Sequence, residues 1–244
     1  MEKMQLPLNL LEPPIPHLAD GVAGRNSAAL HALADLIDGG AHGFASITLW
    51  GAPGCGKTFW LKAWSNDRPD QASYIDAGAG HAGQSPALHI ENAVERLRQG
   101  EAASCLMIDN IDTADAQTAH QLFQLYNAGR ESGGRIVSTA SRAPLHLGIR
   151  DDLRTRLGQS LIFELHELSD AEKKAALLDR AQRLGLPLSE EIINYLFTRL
   201  PRDLGRLMQI IDGLNELTLS RQRAATIPLL KELLDSLHAT TRPV

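Results

Sequence analysis

The sequence lacks the features that would place it in a membrane or an oxidising compartment. Its 244 residues include only two cysteines, Cys55 and Cys105, which is no disulfide framework and suits a reducing compartment. No run approaches the eighteen or more apolar residues of a membrane span. The opening stretch MEKMQLPLNLLEPPIPH has neither the apolar core nor the small-residue cleavage site of a secretory signal, so a cytoplasmic location is expected. The nine histidines show no spacing with a metal logic, and no structural metal is expected. A basic surplus is missing too. Against 29 Asp and Glu there are 24 Lys and Arg, a net charge of −5; the deficit falls within residues 1–165, and residues 166–244 are balanced. Without excess cations to release counterions from a duplex, direct DNA binding should be slight. Internal repeats and low-complexity segments are also absent.

What is present is an alternation of strand-like and helix-like segments. Residues 1–16 carry four prolines and no helical or strand period, so they read as an extended tail. SITLW (46–50) is β-rich, and KTFWLKAWSN after it has helical spacing. ASYIDA (72–77) precedes a glycine-rich turn and the helix-like ALHIENAVERLRQ (87–99), in which Leu88, Val94 and Leu97 are expected to share a face. SCLMIDNID (104–112) is a buried strand ending in acids, AQTAHQLFQLYNAGRES is helical, and RIVSTAS (135–141) and SLIFEL (160–165) make five strands. Such alternation predicts an α/β fold: a five-stranded parallel sheet with helices on both faces, over residues 17–165. Past residue 165 strand signals vanish. Ser169 and Ser189 read as helix N-caps, and a small all-helical domain is expected over 166–244.

The glycine-rich stretch GAPGCGKT follows the first strand directly. Gly51, Gly56, Lys57 and Thr58 fit G-x-x-x-x-G-K-[ST] in every fixed position. Glycines let backbone N–H groups curl around a β-phosphate, Lys57 neutralises β- and γ-phosphate charge, and Thr58 can ligate Mg²⁺. Ala52, Pro53, Gly54 and Cys55 within the loop, and Phe59 after it, complete the candidate nucleotide-binding stretch. The following helix aims its positive dipole end at the same anion. A chance glycine turn would not need the strand before and the amphipathic helix after. Asp109, at the end of an apolar strand, is the candidate second acid, holding Mg²⁺ through water; alone it could simply start a turn. The next residue is Asn110, which cannot act as a general base. If the strand continued, Asp112 would face the same side about 6–7 Å further along. Self-hydrolysis is therefore expected to be slow.

Together, the Walker loop, LMIDNI, IVSTASRAP, LRTRLG and LPRDLGRL resemble the AAA+ module of the replication initiator DnaA, over about residues 17–238, and most closely the Hda-type regulators that inactivate DnaA. The early start of the module, the end of the sequence after the helical lid and QLPLNL at residues 5–10 favour the Hda-type pattern. QLPLNL resembles the motif that docks proteins on the β sliding clamp: Gln5 would bond at the pocket rim, and Leu6, Leu8 and Leu10 would supply apolar anchors. The alternative is a tail whose leucines fold back on the body.

The resemblance implies roles for further residues. Arg156 falls at the arginine-finger position, where a guanidinium enters a neighbour's nucleotide site; Arg154 and Arg150 are rivals, and each could be a solvated surface residue. Arg202 matches the lid arginine called sensor 2. Ser141 occupies the sensor 1 position, where Asn or Asp is more usual. The segment 17–24 would cover the purine. The implied function is that of a regulatory adaptor that binds ADP or ATP with Mg²⁺, sits on the β sliding clamp and stimulates ATP hydrolysis by DnaA in trans. Nucleotide binding is expected to govern lid closure and self-association. The competing expectation is an ATP-driven remodeller, such as a helicase loader or clamp-loader subunit, that cycles its own ATP.

Overall fold

Parallel strands must be joined by crossovers long enough to return the chain to the same end of the sheet, and the helices supply that length. The computed structural model describes residues 15–39, 43–78, 85–100 and 105–240. They fall into two compact units, one of Pro16–Glu167 and one built on Leu168–Val244. The first contains strands β1 (Ala45–Trp50), β2 (Ala72–Asp76), β3 (Cys105–Asp109), β4 (Arg135–Ala140) and β5 (Leu161–Glu164). Helix α1 (Ser27–Ile37) precedes β1. Helices α2 (Lys57–Asp67), α3 (Pro86–Arg98), α4 (Ala116–Ser132) and α5 (Asp151–Gly158) follow β1 to β4 in turn. The sheet order is β2-β3-β4-β1-β5, and every pair is parallel. This is the expected α/β sheet; α1 and the short 3-10 turns at Leu18–Asp20 and Gly24–Asn26 add to it.

Helices cover both faces of the central strands, so β3 is buried along its whole length while the edge strand β5 stays largely exposed, and the period-two alternation distributes side chains between two cores. Cys105 and Met107 of β3 join a cluster with Leu33 and Ile37 of α1 and Leu61 of α2. Leu106 and Ile108 face the other way, onto Ile90 of α3, Leu122 of α4 and Leu157 of α5. Burying a hydroxyl is costly unless it is hydrogen-bonded. Tyr126 accordingly pairs with Ser138 at 2.5 Å, and Thr48 with Ser160 at 2.6 Å.

One expected face is corrected. The buried stripe of α3 is Ala87, Ile90, Ala93, Val94 and Leu97, whereas Leu88 is 46% exposed. At about 100° per residue, positions 87, 90, 94 and 97 fall within an arc of about 80°, and position 88 lies about 140° from its centre.

The second unit comprises α6 (Asp170–Arg183), α7 (Glu190–Arg199), α8 (Leu204–Arg221) and α9 (Ile227–Thr240). Ser169 and Glu172 form a reciprocal capping box at α6, while Ser189 and Asp203 cap α7 and α8. These side chains satisfy amide donors that a helix start leaves without intrahelical partners. Leu177, Leu196, Leu207, Ile211, Leu214, Leu230 and Leu233 fill the core. Arg180 Nε donates to Asp212 Oδ1 at 2.8 Å and ties α6 to α8.

The segment before α1 is fastened to α2 by the Asp67 carboxylate and by Asn66, whose Nδ2 donates to Pro16 O at 2.9 Å. Asp67 Oδ1 lies 2.6 Å from His17 Nδ1, and Oδ2 accepts from the Leu18 amide at 2.8 Å. The His17 hydrogen bond, followed by that from Leu18, holds the Asp67 carboxyl below its ordinary value of 3.8. A depressed folded pKa contributes stability above the unfolded value, and the contribution is lost as pH falls through the folded one. Amide-exchange protection at Leu18–Asp20 should therefore drop as pH falls below about 4. Asp67→Asn should reduce that protection already at pH 7, without lowering protection in β3.

Candidate nucleotide-phosphate site

The loop between β1 and α2 is held at its root by both strands that flank β1. Gly51 N–H donates to Ala140 O of β4 at 3.3 Å, and the Leu165 amide, just past β5, donates to Trp50 O at 2.7 Å. A Cβ on Gly51 would stand 2.3 Å from Leu165 O, so only glycine lets the two chains approach this closely. Cys55 N–H closes a turn onto Ala52 O at 3.3 Å, and the buried Cys55 side chain joins the α1 and α2 core, anchoring the loop from below. Gly56 has φ of 94°, a backbone region that favours glycine. That turn delivers the chain into α2, which starts without a side-chain cap, leaving the first-turn N–H groups to face the loop.

Lys57 Nζ donates to Gly51 O at 2.6 Å and to Ala52 O at 3.1 Å, so its ammonium rests against the loop's own carbonyls. Thr58 Oγ1 donates to Asp109 Oδ2 at 2.6 Å. Asp109 has no exposed surface and accepts two more hydroxyls: Tyr74 OH on Oδ2 at 3.0 Å, and Thr139 Oγ1 on Oδ1 in a very short contact. Burial, with the negative charges of Asp109 and Asp76, pushes the Tyr74 phenol far above its ordinary range, so Tyr74 stays protonated and remains a donor. The glycine cradle, the ammonium and the uncapped helix start fit the phosphates of a nucleotide. Thr58 and Asp109 fit an accompanying Mg²⁺, which keeps most of its water and asks few ligands of the protein.

Around this centre the expected residues separate. β3 ends at Asp109, Asn110 turns into the left-handed region at φ 56°, and Ile111–Thr113 form a 3-10 turn. The strand parity that would have put Asp112 on the same side as Asn110 therefore does not hold. Asn110 Nδ2 donates to Asp76 Oδ1 at 3.1 Å, and Asp112 Oδ2 accepts from the Ser141 amide at 3.1 Å and from its hydroxyl. Ser141 sits just past β4 as expected, but it bonds Asp112, whereas Thr139 within β4 reaches Asp109. Tyr74, Asp76 and Thr139 were not among the expected site residues. The signal for Thr139 was available: a polar residue inside a buried strand must find a hydrogen-bond partner. Tyr74 lies one strand away and only the β2–β3 register, Asp76 opposite Asp109, brings it near.

The segment 17–24 lies against α2, with Gly21 so close to Trp60 that a Cβ would fall 2.2 Å from Cη2. Of the three arginines considered for the finger, Arg150 pairs with Asp152 at 2.6 Å and Arg154 pairs with Asp151. Arg156 instead lies over the Phe123 ring at 5.8 Å. Arg202, in the helical unit, donates to Asp170 at the start of α6. Gln5, Leu6, Leu8 and Leu10 lie outside the described residues. Among the described residues, no helix is long and apolar enough to cross a membrane.

The family model "Bacterial DnaA ATPase domain" matches residues 20–164. The chain belongs to the DnaA-related AAA+ proteins. Its helical unit matches the model "Hda, lid domain" over residues 170–234, which places this DnaA-related chain close to Hda. Three solved structures share its fold. Domain III of the Thermotoga maritima replication initiation protein DnaA is 22% identical with a TM-score of 0.64, covering 93% of this chain and 97% of that one. AMPPCP-bound DnaA from Aquifex aeolicus is 20% identical with a TM-score of 0.61, covering 84% of this chain and 65% of that one. The Thermotoga maritima RuvB Holliday junction branch migration motor is 15% identical with a TM-score of 0.63, covering 92% and 72%.

Thr139 serves two groups at once, the buried Asp109 carboxylate and the half-buried Asn110 amide, which its Oγ1 accepts at 3.0 Å. Thr139→Val, nearly isosteric, should leave both short of a partner and lower stability by about 1–3 kcal/mol. Urea unfolding of the two proteins measures the difference, and an unchanged midpoint would show that these groups have other partners.

Proposed function

We propose that this chain is a nucleotide-bound regulator of DNA replication initiation. It docks on the β sliding clamp through residues 5–10 and stimulates ATP hydrolysis by DnaA with Arg156 as a finger in trans. The reading is carried by the pairing, in one chain, of a DnaA-type ATPase domain with an Hda-type lid. The site supports it from two directions. Asn110, where a water-orienting acid would serve self-hydrolysis, is committed to Asp76. Arg156, unlike Arg150 and Arg154, has no carboxylate partner among the described residues and keeps its charge available.

In this reading the Gly51–Thr58 loop and Phe59 hold ADP or ATP, with Thr58 and Asp109 toward Mg²⁺. The AMPPCP bound to the Aquifex aeolicus DnaA argues for an adenine nucleotide. Lys57 would exchange its bonds to Gly51 O and Ala52 O for phosphate oxygens. Arg202 supplies the lid contact, and Ser141, occupied by Asp112, contributes little. Bound nucleotide then acts as a stabilising ligand that governs lid closure and self-association, in a protein of the cytoplasm. A second reading, a remodeller cycling its own ATP, is favoured by the intact Thr58–Asp109 pair. Turnover without DnaA near one per second would select it; negligible turnover, with strong stimulation of DnaA only when clamp and DNA are present, selects the regulator.

Arg156→Ala should leave nucleotide affinity nearly intact and abolish stimulation of DnaA hydrolysis, a loss of about 10³-fold or more if the guanidinium acts as such fingers do. Full stimulation by the variant would move the role to Arg154 or Arg150. Replacing Gln5 and Leu6 by alanine should abolish clamp pull-down with no change in melting temperature. A shift of several degrees would mean that these residues pack into the body.

A further inference from the structure

On the sheet face opposite α2, the last turns of three helices converge on one groove. Arg98 of α3, Arg130 of α4 and Arg156 of α5 border a space of about 520 Å³, together with Gln124, Asn127 and Glu131. An arginine in a final helical turn complements the helix dipole and by itself needs no further explanation. The dipole does not account for the convergence of three, nor for how their charge is left.

Arg130 Nη1 donates to the neutral Gln159 Oε1, and the Arg156 guanidinium lies over the Phe123 ring. Both contacts orient the cation without neutralising it. Among the described residues no carboxylate pairs with Arg98, Arg130 or Arg156, although Arg150 and Arg154 on the same helix or at its cap do pair with carboxylates. Glu131 is the single acid among the six residues named, so the groove keeps two positive charges in excess. Gln124 and Asn127, three residues apart on α4, add amide donors. Planar guanidinium forks suit phosphate oxygens, and several cations around one groove suit a chain of phosphates better than a single carboxylate.

We propose that this groove is a polyphosphate-binding site separate from the glycine-rich loop, with Arg98 and Arg130 as binding residues alongside Arg156. It rests on the reading of Arg156 as directed at a partner's nucleotide and extends it: a triphosphate presented there meets three cations. The same chemistry could come from a nucleoside triphosphate held by a second AAA+ chain or from a free polyphosphate.

The test titrates sodium tripolyphosphate into the full chain, its loop saturated with ADP and Mg²⁺, for the wild type and for Arg98→Ala/Arg130→Ala. Melting curves confirm that the variant, altered at two exposed positions, remains folded. The expected result is binding that the double variant weakens at least tenfold and that Arg98→Lys/Arg130→Lys restores in part. A second arm measures association with DnaA loaded with AMPPCP or with ADP. A loss confined to the AMPPCP-loaded partner supports a partner-held nucleotide, and a loss confined to tripolyphosphate supports a free one. Equal behaviour of wild type and double variant in both arms overturns the proposal, as does displacement of tripolyphosphate by a single-stranded oligonucleotide that binds more tightly, which would assign the groove to nucleic acid. Loss of DnaA stimulation in Arg156→Ala with no tripolyphosphate binding to the wild type would leave the finger standing and remove the groove.

Discussion

A carboxylate with no exposed surface organises the first unit. Asp109, at the end of β3, would carry a desolvation cost of several kcal/mol if left unpaired, and the fold meets that cost with hydroxyls from three other elements. Thr58 reaches it from α2, Tyr74 from β2 and Thr139 from β4. The charge therefore couples the start of the helix after the glycine-rich loop to the ends of three adjacent strands. All three donors are neutral, so the negative charge is delocalised over hydrogen bonds without being cancelled.

The loop itself is placed by the same sheet. Gly51 is pinned between the ends of β4 and β5, and its missing Cβ makes room for Leu165 O. Directly after Asp109 the backbone turns into the left-handed region, which a residue other than glycine adopts only at a cost. Asn is among the types best suited to that conformation, and here its amide is held by Asp76. The side chain at position 110, an amide without a basic atom, serves to hold the turn. The loop's donors and the turn after β3 are thus fixed by the same sheet, with the amide at position 110 engaged by Asp76.

The arginines of the α5 region divide by partner. Arg150 and Arg154 are quenched by the acids that open the helix, while Arg156, two residues beyond Arg154, has an aromatic face beneath it. A guanidinium over an aromatic ring retains its full charge and its in-plane donors. Availability of charge, more than position along the helix, separates it from its neighbours. In the helical unit Arg202 is tethered to Asp170 at the start of α6, an exposed pair of small energetic weight.

The sequence by itself determined the local elements and the loop. The strands read as short β-rich runs, Ser169 and Ser189 read as the caps that open α6 and α7, and Gly51, Gly56, Lys57 and Thr58 spell the pattern of a phosphate loop, because these are effects of neighbours within a few residues. It also placed Asp109, as the acid ending a buried run. The identity of that acid's partners was decided by tertiary structure: Tyr74 and Thr139 are brought to Asp109 by strand order and register, which depend on contacts far apart in the chain. The same holds for Asp112, whose parity with Asn110 vanished once β3 stopped. It holds also for the meeting of Arg98, Arg130 and Arg156, since no local pattern records which helix ends a fold will bring together.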